Sequence, residues 1–292
     1  MKHLMEDYPA LNRLQAVLRG IGTCTVAVSG GIDSMLLAFV AQRMMGDGAL
    51  IGHACSAAVP KADTLRVNAY AERYGWRVAW VDTGEMSHDA YRANPVNRCY
   101  YCKSCLYQRL RSLDCGQVVS GTNLDDLDDY RPGLIAAREQ EIRHPYIEAG
   151  VDKTAIRHMA RLLKLTDLQD LPASPCLSSR VETGINIDPR QLGLIERVEA
   201  WARAEIPART IRLRVRRSAL VLELDSETLA QLTPERRVTI SACIAVMADD
   251  CGLRLPVALA DYRRGAAFVG DKAAPLCDTV DLRGGAQEVH GE

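Results

Sequence analysis

The sequence predicts an α/β fold in which a parallel sheet carries helices on both faces and a smaller C-terminal α+β domain follows. Over residues 23–165, short β-rich runs alternate with segments whose apolar residues recur at helical spacing, a pattern typical of a parallel sheet. A connector rich in Pro, Ser and Gly then spans Asp170 to Gly184. We therefore predict a first domain over 1–185, a second over 186–270 and a loose tail over 271–292.

The first domain is predicted from four strand-like runs and the helical patterns between them. The predicted strands are Thr23–Val28, Ala49–Cys55, Trp76–Val81 and Gln117–Ser120. The predicted helices are Asp33–Met45, Lys61–Tyr74, Cys99–Leu113 and Asp152–Leu165. In the second of these helices, we expect Leu65, Ala69 and Ala71 to face the core.

Ligands of parallel sheets bind at the carboxyl ends of the strands. Ser29, Ser56, the segment after Asp82, and Gly121 follow the four predicted strands. We therefore expect these positions along one edge of the sheet.

The second domain begins with a helix over Asp188–Arg203, in which Pro189 follows Asp188, an N-cap candidate. Its remaining elements are predicted as strands Arg209–Val215 and Ala219–Leu224, helix Pro234–Cys251 and strand Arg254–Leu259.

Composition excludes several classes of protein. The apolar fraction of 48% and the charged fraction of 25% are ordinary for a globular protein. Lys and Arg number 36 against 37 Asp and Glu, a balance that disfavours nucleic acid as a partner bound through a general basic field. No apolar run approaches the roughly 18 residues of a transmembrane helix, and residues 1–14 lack the apolar core of a signal peptide. We expect a cytoplasmic protein with no membrane partner.

A glycine-rich hexapeptide, Ser29-Gly30-Gly31-Ile32-Asp33-Ser34, stands between a predicted strand and a predicted helix. Glycines let the backbone approach an anion closely, and the helix N-terminus offers free N–H groups. Ser29 and Ser34 add hydroxyl donors. The carboxylate of Asp33 is suited to holding the loop in place or to binding a Mg²⁺ ion carried by a nucleotide. An ordinary glycine turn before a helix is the alternative.

This hexapeptide resembles the signature of the PP-loop ATP pyrophosphatases, which implies an HUP-like, adenine nucleotide alpha hydrolase-like fold and cleavage of ATP between its α- and β-phosphates. Four further segments narrow the resemblance: Asn97–Lys103, Gly121–Asn123, Asp128–Leu134 and Pro175–Arg180. Together they resemble the LarE family of ATP-dependent sulfur transferases, which build the nickel-pincer nucleotide cofactor. The resemblance spans roughly residues 10 to 270.

The resemblance implies that ATP adenylates a carboxylate of a pyridinium mononucleotide, and that sulfur then replaces AMP to give a thiocarboxylate. The implied ATP and pyrophosphate site is Ser29, Gly30, Gly31, Asp33, Ser34 and Gly121. Cys176 matches a sacrificial cysteine that attacks the acyl adenylate and ends as dehydroalanine. Nearby cations lower the pKa of a nucleophilic thiol, and Arg180 is one candidate for that charge.

Other members of the resembling family are thought to hold a [4Fe–4S] cluster on three cysteines. Cys99 and Cys102 lie one helical turn apart, and thiolates are natural cluster ligands. Cys176 is the expected third ligand, ahead of Cys105, which lies well round the helix from Cys99. A structural zinc site and unliganded thiols are the alternatives.

Arginines of the second domain form a candidate anion site. Arg212, Arg214 and Arg216 alternate along one predicted strand, and arginine forks suit phosphate. By resemblance, Arg212 and Arg214 hold the substrate phosphate, with Arg263 near the same pocket. A solvated strand face is the alternative.

Two segments leave the roles of their residues open. Asp129 and Arg131 could position substrate or magnesium, although a structural ion pair is an equal alternative. The chain departs from the family at Val221, where a basic residue is usual, and at Asp261–Gly265, where the family is richer in Gly and Ser.

The sequence is also compatible with other functions. A tRNA-thiolating PP-loop enzyme would also combine ATP with cysteines, and salt-dependent tRNA binding would favour it. A regulator that binds nucleotide or metal without catalysis is another alternative. The preferred interpretation implies a small nucleotide substrate, a possible sulfur donor, ATP with Mg²⁺, and self-assembly into a homo-oligomer.

Overall fold

The computed structural model describes residues 8–127 and 131–268. The strands in these ranges are β1 (Cys24–Val28), β2 (Ala49–Ala54), β3 (Val78–Val81), β4 (Gln117–Ser120), β5 (Ile211–Val215), β6 (Leu220–Leu224) and β7 (Val257–Asp261). The helices are α1 (Pro9–Ile21), α2 (Ile32–Met45), α3 (Lys61–Tyr74), α4 (Asp89–Arg92), α5 (Arg98–Arg111), α6 (Pro132–Glu139), α7 (Pro145–Glu148), α8 (Lys153–Leu162), α9 (Thr166–Gln169), α10 (Pro189–Glu205), α11 (Ser226–Gln231) and α12 (Pro234–Asp249).

The first four strands form a parallel sheet in the order β3-β2-β1-β4. Side chains of β1 alternate between two cores, as the period of a strand requires. Val26 packs into a core built with α1, α2 and α8, whereas Ala27 packs on the opposite face against residues of α5 and α6. Helices therefore cover both faces of the sheet, as predicted.

The strand order reverses between β1 and β4, because the chain moves from β1 outward to β2 and β3 and then returns to the other side of β1. Such a switch point opens a crevice at the carboxyl ends of the two strands. The segment from Ser29 follows β1, and the segment from Gly121 follows β4. The topology thus places both segments beside one crevice.

The second sheet has the order β5-β6-β7 and is mixed. β5 and β6 form an antiparallel pair, and β7 joins β6 in parallel after α11 and α12. Its core extends to residues before position 185, because Ala58, Tyr91 and Leu177 pack in the same cluster as Leu213 and Leu222. The residues on either side of position 185 therefore share a hydrophobic core.

The predicted strands and long helices are present, with two corrections. The face of α3 was predicted wrongly at Leu65, which is 68% exposed, and at the exposed Ala69, whereas Ala71 packs against the core as expected. The buried residues of α3 are Asp63, Val67 and Tyr70. The last strand was predicted too early, since β7 runs from Val257 to Asp261. Helix α12 ends at Asp249, and residues 250–256 connect it to the start of β7.

The N-cap at Asp188 is confirmed, because its carboxylate accepts the Arg190 N–H. Asp129 and the tail predicted over 271–292 lie outside the described residues. No helix in the described ranges combines the length and the apolar character that crossing a membrane requires.

Candidate functional site

The loop after β1 turns back on the first turn of α2. The Ser29 N–H donates to the Ser34 hydroxyl oxygen at 3.1 Å, and that hydroxyl donates to the Gly31 carbonyl at 3.0 Å. The hydroxyls of Ser29 and Ser34 lie 3.2 Å apart. The two serines therefore close the loop around the glycines, and the N-terminus of α2 directs its free N–H groups toward the crevice.

Two glycines of this region have no space for a side chain. A Cβ at Gly30, whose φ is +88°, would lie 2.6 Å from the Cβ of Asp63. A Cβ at Gly121 would lie 2.8 Å from the backbone nitrogen of Ser34. The end of β4 thus packs directly on the start of α2, and α3 packs directly on the loop.

Asp33 forms an ion pair that the sequence analysis did not predict. The Lys153 ammonium lies 2.5 Å from each carboxylate oxygen of Asp33. Burial raises the pKa of Asp33, while Lys153 acts in the opposite direction and Asp126 adds to the rise. Tyr146 also donates to the Asp33 carbonyl at 2.9 Å. Asp33 is therefore fixed at the start of α2, facing a cation and a second carboxylate.

Three of the four cysteines of interest form one electrostatic group. Burial raises the pKa of Cys102 to about 12, and the charge of Cys176 contributes next. Burial and then Cys176 also raise the pKa of Cys99. Burial and then the charge of Glu85 raise the pKa of Cys105. Glu85 is a buried carboxylate that accepts hydrogen bonds from the hydroxyls of Ser56 and Thr83. The charge of Cys176 thus acts on Cys99 and Cys102, whereas it is not among the charges that act on Cys105.

Lys103 links the thiols to the end of β4. Its pKa is raised by Tyr107 and further by Cys102, Cys99 and Cys176. Burial lowers the pKa of His144 to about 4, and Lys103 acts in the same direction against Glu148 and Asp126. The His144 ring nitrogen Nδ1 lies 2.8 Å from the hydroxyl of Ser120, the last residue of β4. The charge of Lys103 thus acts both on the thiols and on a histidine that contacts the end of β4.

The segment around Cys176 is held by its backbone. Arg180 is 2% exposed and donates to the carbonyls of Pro175 at 2.5 Å and Cys176 at 3.0 Å. The buried Glu199 accepts from Arg180 at 3.0 and 3.1 Å. The Leu177 N–H donates to the Ala58 carbonyl. Arg180 therefore positions the cysteine, while its charge is balanced by Glu199.

Basic side chains other than Arg180 act on the thiols. Arg98 and Lys103 both lower the pKa of Cys99, against the larger effect of burial. Arg98 is itself 2% exposed and donates to the Ser178 carbonyl at 3.1 Å. The cations that favour a thiolate thus come from α5.

The arginines of β5 point toward carboxylates. Arg214 is buried, lies 3.0 Å from Glu223, and donates to the Ser179 carbonyl at 2.9 Å. Arg216 lies 3.0 Å from the other oxygen of Glu223. Arg212 is half-buried, 4.0 Å from Glu199.

The exposed Arg263 contributes its carbonyl to Arg214 at 3.5 Å. Arg131 forms an ion pair with Asp126 at 2.8 Å, in line with the structural ion pair given above as the alternative role for this residue.

The three-thiol group suits an iron–sulfur cluster by its chemistry. Thiolates are the ligands such clusters use, and each cysteine binds a different iron. Two cations of α5 stand beside the group, where they would offset thiolate charge. Across the described ranges, no three His, Cys, Asp or Glu side chains are grouped to hold one metal ion. The thiols and the neighbouring cations thus supply the donor chemistry that a cluster requires.

Comparison with known proteins supplies the family. The chain is 35% identical to an uncharacterized protein, slr1717, of Synechocystis sp., over 77% of this chain and 85% of that protein. It is 30% identical to a pyridinium-3,5-bisthiocarboxylic acid mononucleotide synthase of Lactiplantibacillus plantarum, over 72% of this chain and 78% of the synthase. This chain belongs to the LarE family. An uncharacterized protein of Methanocaldococcus jannaschii, MJ0830, is 27% identical over 74% of this chain and 82% of its own length. No family model matches the chain.

Sequence analysis did not identify three charged residues of this LarE-family site, although the position of each one in the sequence indicates a role. Lys153 begins a helix, where the dipole disfavours a cation, so a partner such as Asp33 was to be expected. Glu199 interrupts the apolar face of α10 between Ile195 and Ala202. Lys103 lies one helical turn after Cys99 on the same face of α5.

The departure from the LarE pattern at Val221 also has a structural setting. Val221 is 8% exposed and stands opposite Arg214 in the β5–β6 register. A second cation at that position would face Arg214 directly, so this chain has one cation fewer beside Glu223.

Proposed function

We propose that this chain is an ATP-dependent sulfur transferase that adenylates a substrate carboxylate and converts it to a thiocarboxylate, releasing pyrophosphate and AMP. The proposed substrate resembles pyridinium-3,5-biscarboxylic acid mononucleotide, and the proposed process is nickel-pincer cofactor biosynthesis. The observation that carries the proposal is that Leu177, next to Cys176, donates its N–H to the Ala58 carbonyl after β2 at 2.8 Å, while the loop Ser29–Ser34 follows the neighbouring strand β1. This contact supports a sulfur site beside the proposed phosphate loop, Ser29–Ser34.

Adenylation is assigned to the loop after β1. A carboxylate oxygen of the substrate attacks the α-phosphorus of ATP, the bond to the bridging oxygen breaks, and pyrophosphate leaves with the electron pair. Backbone N–H groups of Gly30, Gly31 and the start of α2 would hold the pyrophosphate. Asp33 would bind the Mg²⁺ that accompanies the nucleotide, with Lys153 balancing its charge in the absence of the ion.

Sulfur transfer is assigned to Cys176. In the self-donating route its thiolate attacks the acyl carbon, AMP leaves, and a thioester forms. Loss of the cysteine α-proton then breaks the Cβ–S bond, which leaves a thiocarboxylate and dehydroalanine. The Arg180 and Glu199 pair keeps the Cys176 carbonyl in place.

A second source of sulfur rests on the same residues. Cys99, Cys102 and Cys176 would hold a [4Fe–4S] cluster, which when bound supplies an iron open to an extra sulfide. Cys105 is left out of this set because the charge of Cys176, which acts on Cys99 and Cys102, is not among those that act on it.

The substrate phosphate is assigned to the arginines of the second sheet. Arg212 is half-buried and Arg263 is exposed, so both can reach a ligand. Arg214 would share its guanidinium between Glu223 and the phosphate. A homo-oligomeric, cytoplasmic enzyme completes the proposal.

The test measures iron, acid-labile sulfide and pyrophosphate release on protein purified without oxygen. We expect about four irons and four sulfides per chain, lost in Cys99→Ser and Cys176→Ser and kept in the matched variant Cys105→Ser. An iron-free protein that loses the mass of hydrogen sulfide from Cys176 in one turnover would assign sulfur to that cysteine. A protein that releases no pyrophosphate from ATP with any nucleotide carboxylate would overturn the proposal.

A further inference from the structure

Asp63 is a buried carboxylate that touches two functional segments at once. It lies in the first turn of α3 and is 2% exposed. One oxygen accepts from Arg66 at 2.7 Å, and the other accepts the Ser174 hydroxyl at 2.8 Å. A buried carboxylate is costly unless it is paired and hydrogen-bonded, so these two contacts fix its position.

The first segment in contact with Asp63 is the phosphate loop. The same Arg66 nitrogen that binds Asp63 donates to the Gly30 carbonyl at 2.7 Å. Gly30 also packs so closely on Asp63 that a Cβ would meet its backbone. A shift of the Gly30 peptide would therefore be passed to both Arg66 and Asp63, because neither contact leaves free space.

The second segment is the exposed stretch that leads to Cys176. Ser174 stands two residues before the cysteine, in a run of four exposed residues from Pro172 to Pro175. Around Ser174, Arg212 donates to the Ala173 carbonyl at 3.2 Å, and Arg180 donates to the Pro175 carbonyl at 2.5 Å. The run is thus fastened by side chains from other elements, and the Ser174 bond is the contact that leads toward the phosphate loop.

We infer that Asp63 is a positioning residue that couples occupancy of the phosphate loop to the placement of Cys176. The inference rests on the proposed function, since it takes ATP as the occupant of the loop. Phosphate oxygens that bind the N–H groups beside Gly30 fix the Gly30 carbonyl and, through Arg66 and Asp63, the Ser174 hydroxyl. The sulfur-bearing segment is then ordered when nucleotide is present and loosened when it leaves.

The test is hydrogen–deuterium exchange of the peptide covering 173–178 in the full chain, with and without Mg²⁺ and a non-hydrolysable ATP analogue. We expect the analogue to slow exchange of this peptide by roughly tenfold, the effect that one hydrogen bond to a carboxylate supports. Ser174→Ala should abolish the slowing while the affinity for the analogue stays within about twofold of wild type. Ser174→Thr, which keeps the hydroxyl, should restore it.

Ser179→Ala is the matched control. Ser179 directly follows this peptide, and its hydroxyl donates to the Cys176 carbonyl inside it rather than to another element. Its loss should raise exchange with and without nucleotide and leave the slowing intact. Binding of the analogue with no slowing in wild type, or with equal slowing in Ser174→Ala, would refute the coupling. A wild-type chain that does not bind the analogue would instead refute the proposed function.

Discussion

Replacement of Gly30 by alanine tests the closest approach in the phosphate loop. Two costs combine at this position. The backbone φ of +88° lies in the region that L-residues rarely adopt, and the new methyl would lie 2.6 Å from the Asp63 Cβ and 2.8 Å from the Asp63 carbonyl oxygen. Because the second of these atoms is backbone, the helix or the loop must move.

The magnitude follows from these two terms. Backbone strain of this kind costs about 1–3 kcal/mol, and forcing a methyl into packed atoms costs about 1–3 kcal/mol. We therefore expect Gly30→Ala to lower the free energy of unfolding by about 2–6 kcal/mol and to weaken ATP binding. Urea denaturation followed by circular dichroism measures the first effect, and the m-value should be unchanged.

The neighbouring glycine provides the control. Gly31 has an extended backbone with φ −75°, and a Cβ there would lie 3.6 Å from the Ser29 hydroxyl oxygen, an ordinary contact. Gly31→Ala should change the free energy of unfolding by less than about 1 kcal/mol. If both variants unfold at the same urea concentration, the close packing of α3 on the loop is not what determines the identity of residue 30.

Four other changes follow from the charges of the site. Lys153→Met removes the cation that opposes burial at Asp33, so the pKa of Asp33 should rise further and the acid limb of the pH profile of pyrophosphate release should move to higher pH. Glu199→Gln leaves Arg180 buried without its anion and should cost about 3–5 kcal/mol in urea unfolding. Cys105→Ser should keep the iron content, whereas Cys102→Ser should lose it. Because His144 is neutral in the folded chain down to a pKa of about 4, stability should be full above its ordinary pKa and fall between pH 6.5 and 4, and His144→Asn should flatten that fall.

Matched measurements make these expectations specific. Glu227→Gln alters an exposed pair with Arg209 and should cost less than about 1 kcal/mol, in contrast to Glu199→Gln. An unshifted acid limb in Lys153→Met would remove Asp33 from the group that sets it. Equal iron loss in Cys105→Ser and Cys102→Ser would contradict the grouping of the thiols. A His144→Asn chain with the wild-type pH dependence would assign that dependence to other residues.

The sheet and the loop were predictable because their signals are local. Each strand of the first sheet is a short β-rich run, and Ser29–Ser34 combines glycines, hydroxyls and a strand-to-helix position in six residues. The grouping of Cys99 with Cys102 follows from helical spacing. The placement of Cys176 beside them came from resemblance, since no local pattern links residues so far apart in the chain.

The contacts of Asp63 and Glu199 were not predictable in the same way. Hydrophobic periodicity assigns charged residues to the surface, so α3 was given the wrong face. Asp63 faces inward because Arg66 and Ser174 satisfy its oxygens, and Ser174 lies 111 residues away in the chain. Similarly, Glu199 is buried with two partners from other segments, Arg180 and the Leu213 N–H, which a one-dimensional pattern does not bring together.

The core shared by the two halves of the chain bears on the chemical lifetime of the thiols. Ala58, Tyr91 and Leu177 pack in the cluster of the C-terminal sheet, and Cys102 lies against the same cluster. Opening of that sheet would therefore expose Cys102, which is half-buried in the folded chain, more fully. The chemical lifetime of this thiol against oxygen or an electrophile then depends in part on how often the C-terminal sheet opens, which ties its survival to folding stability.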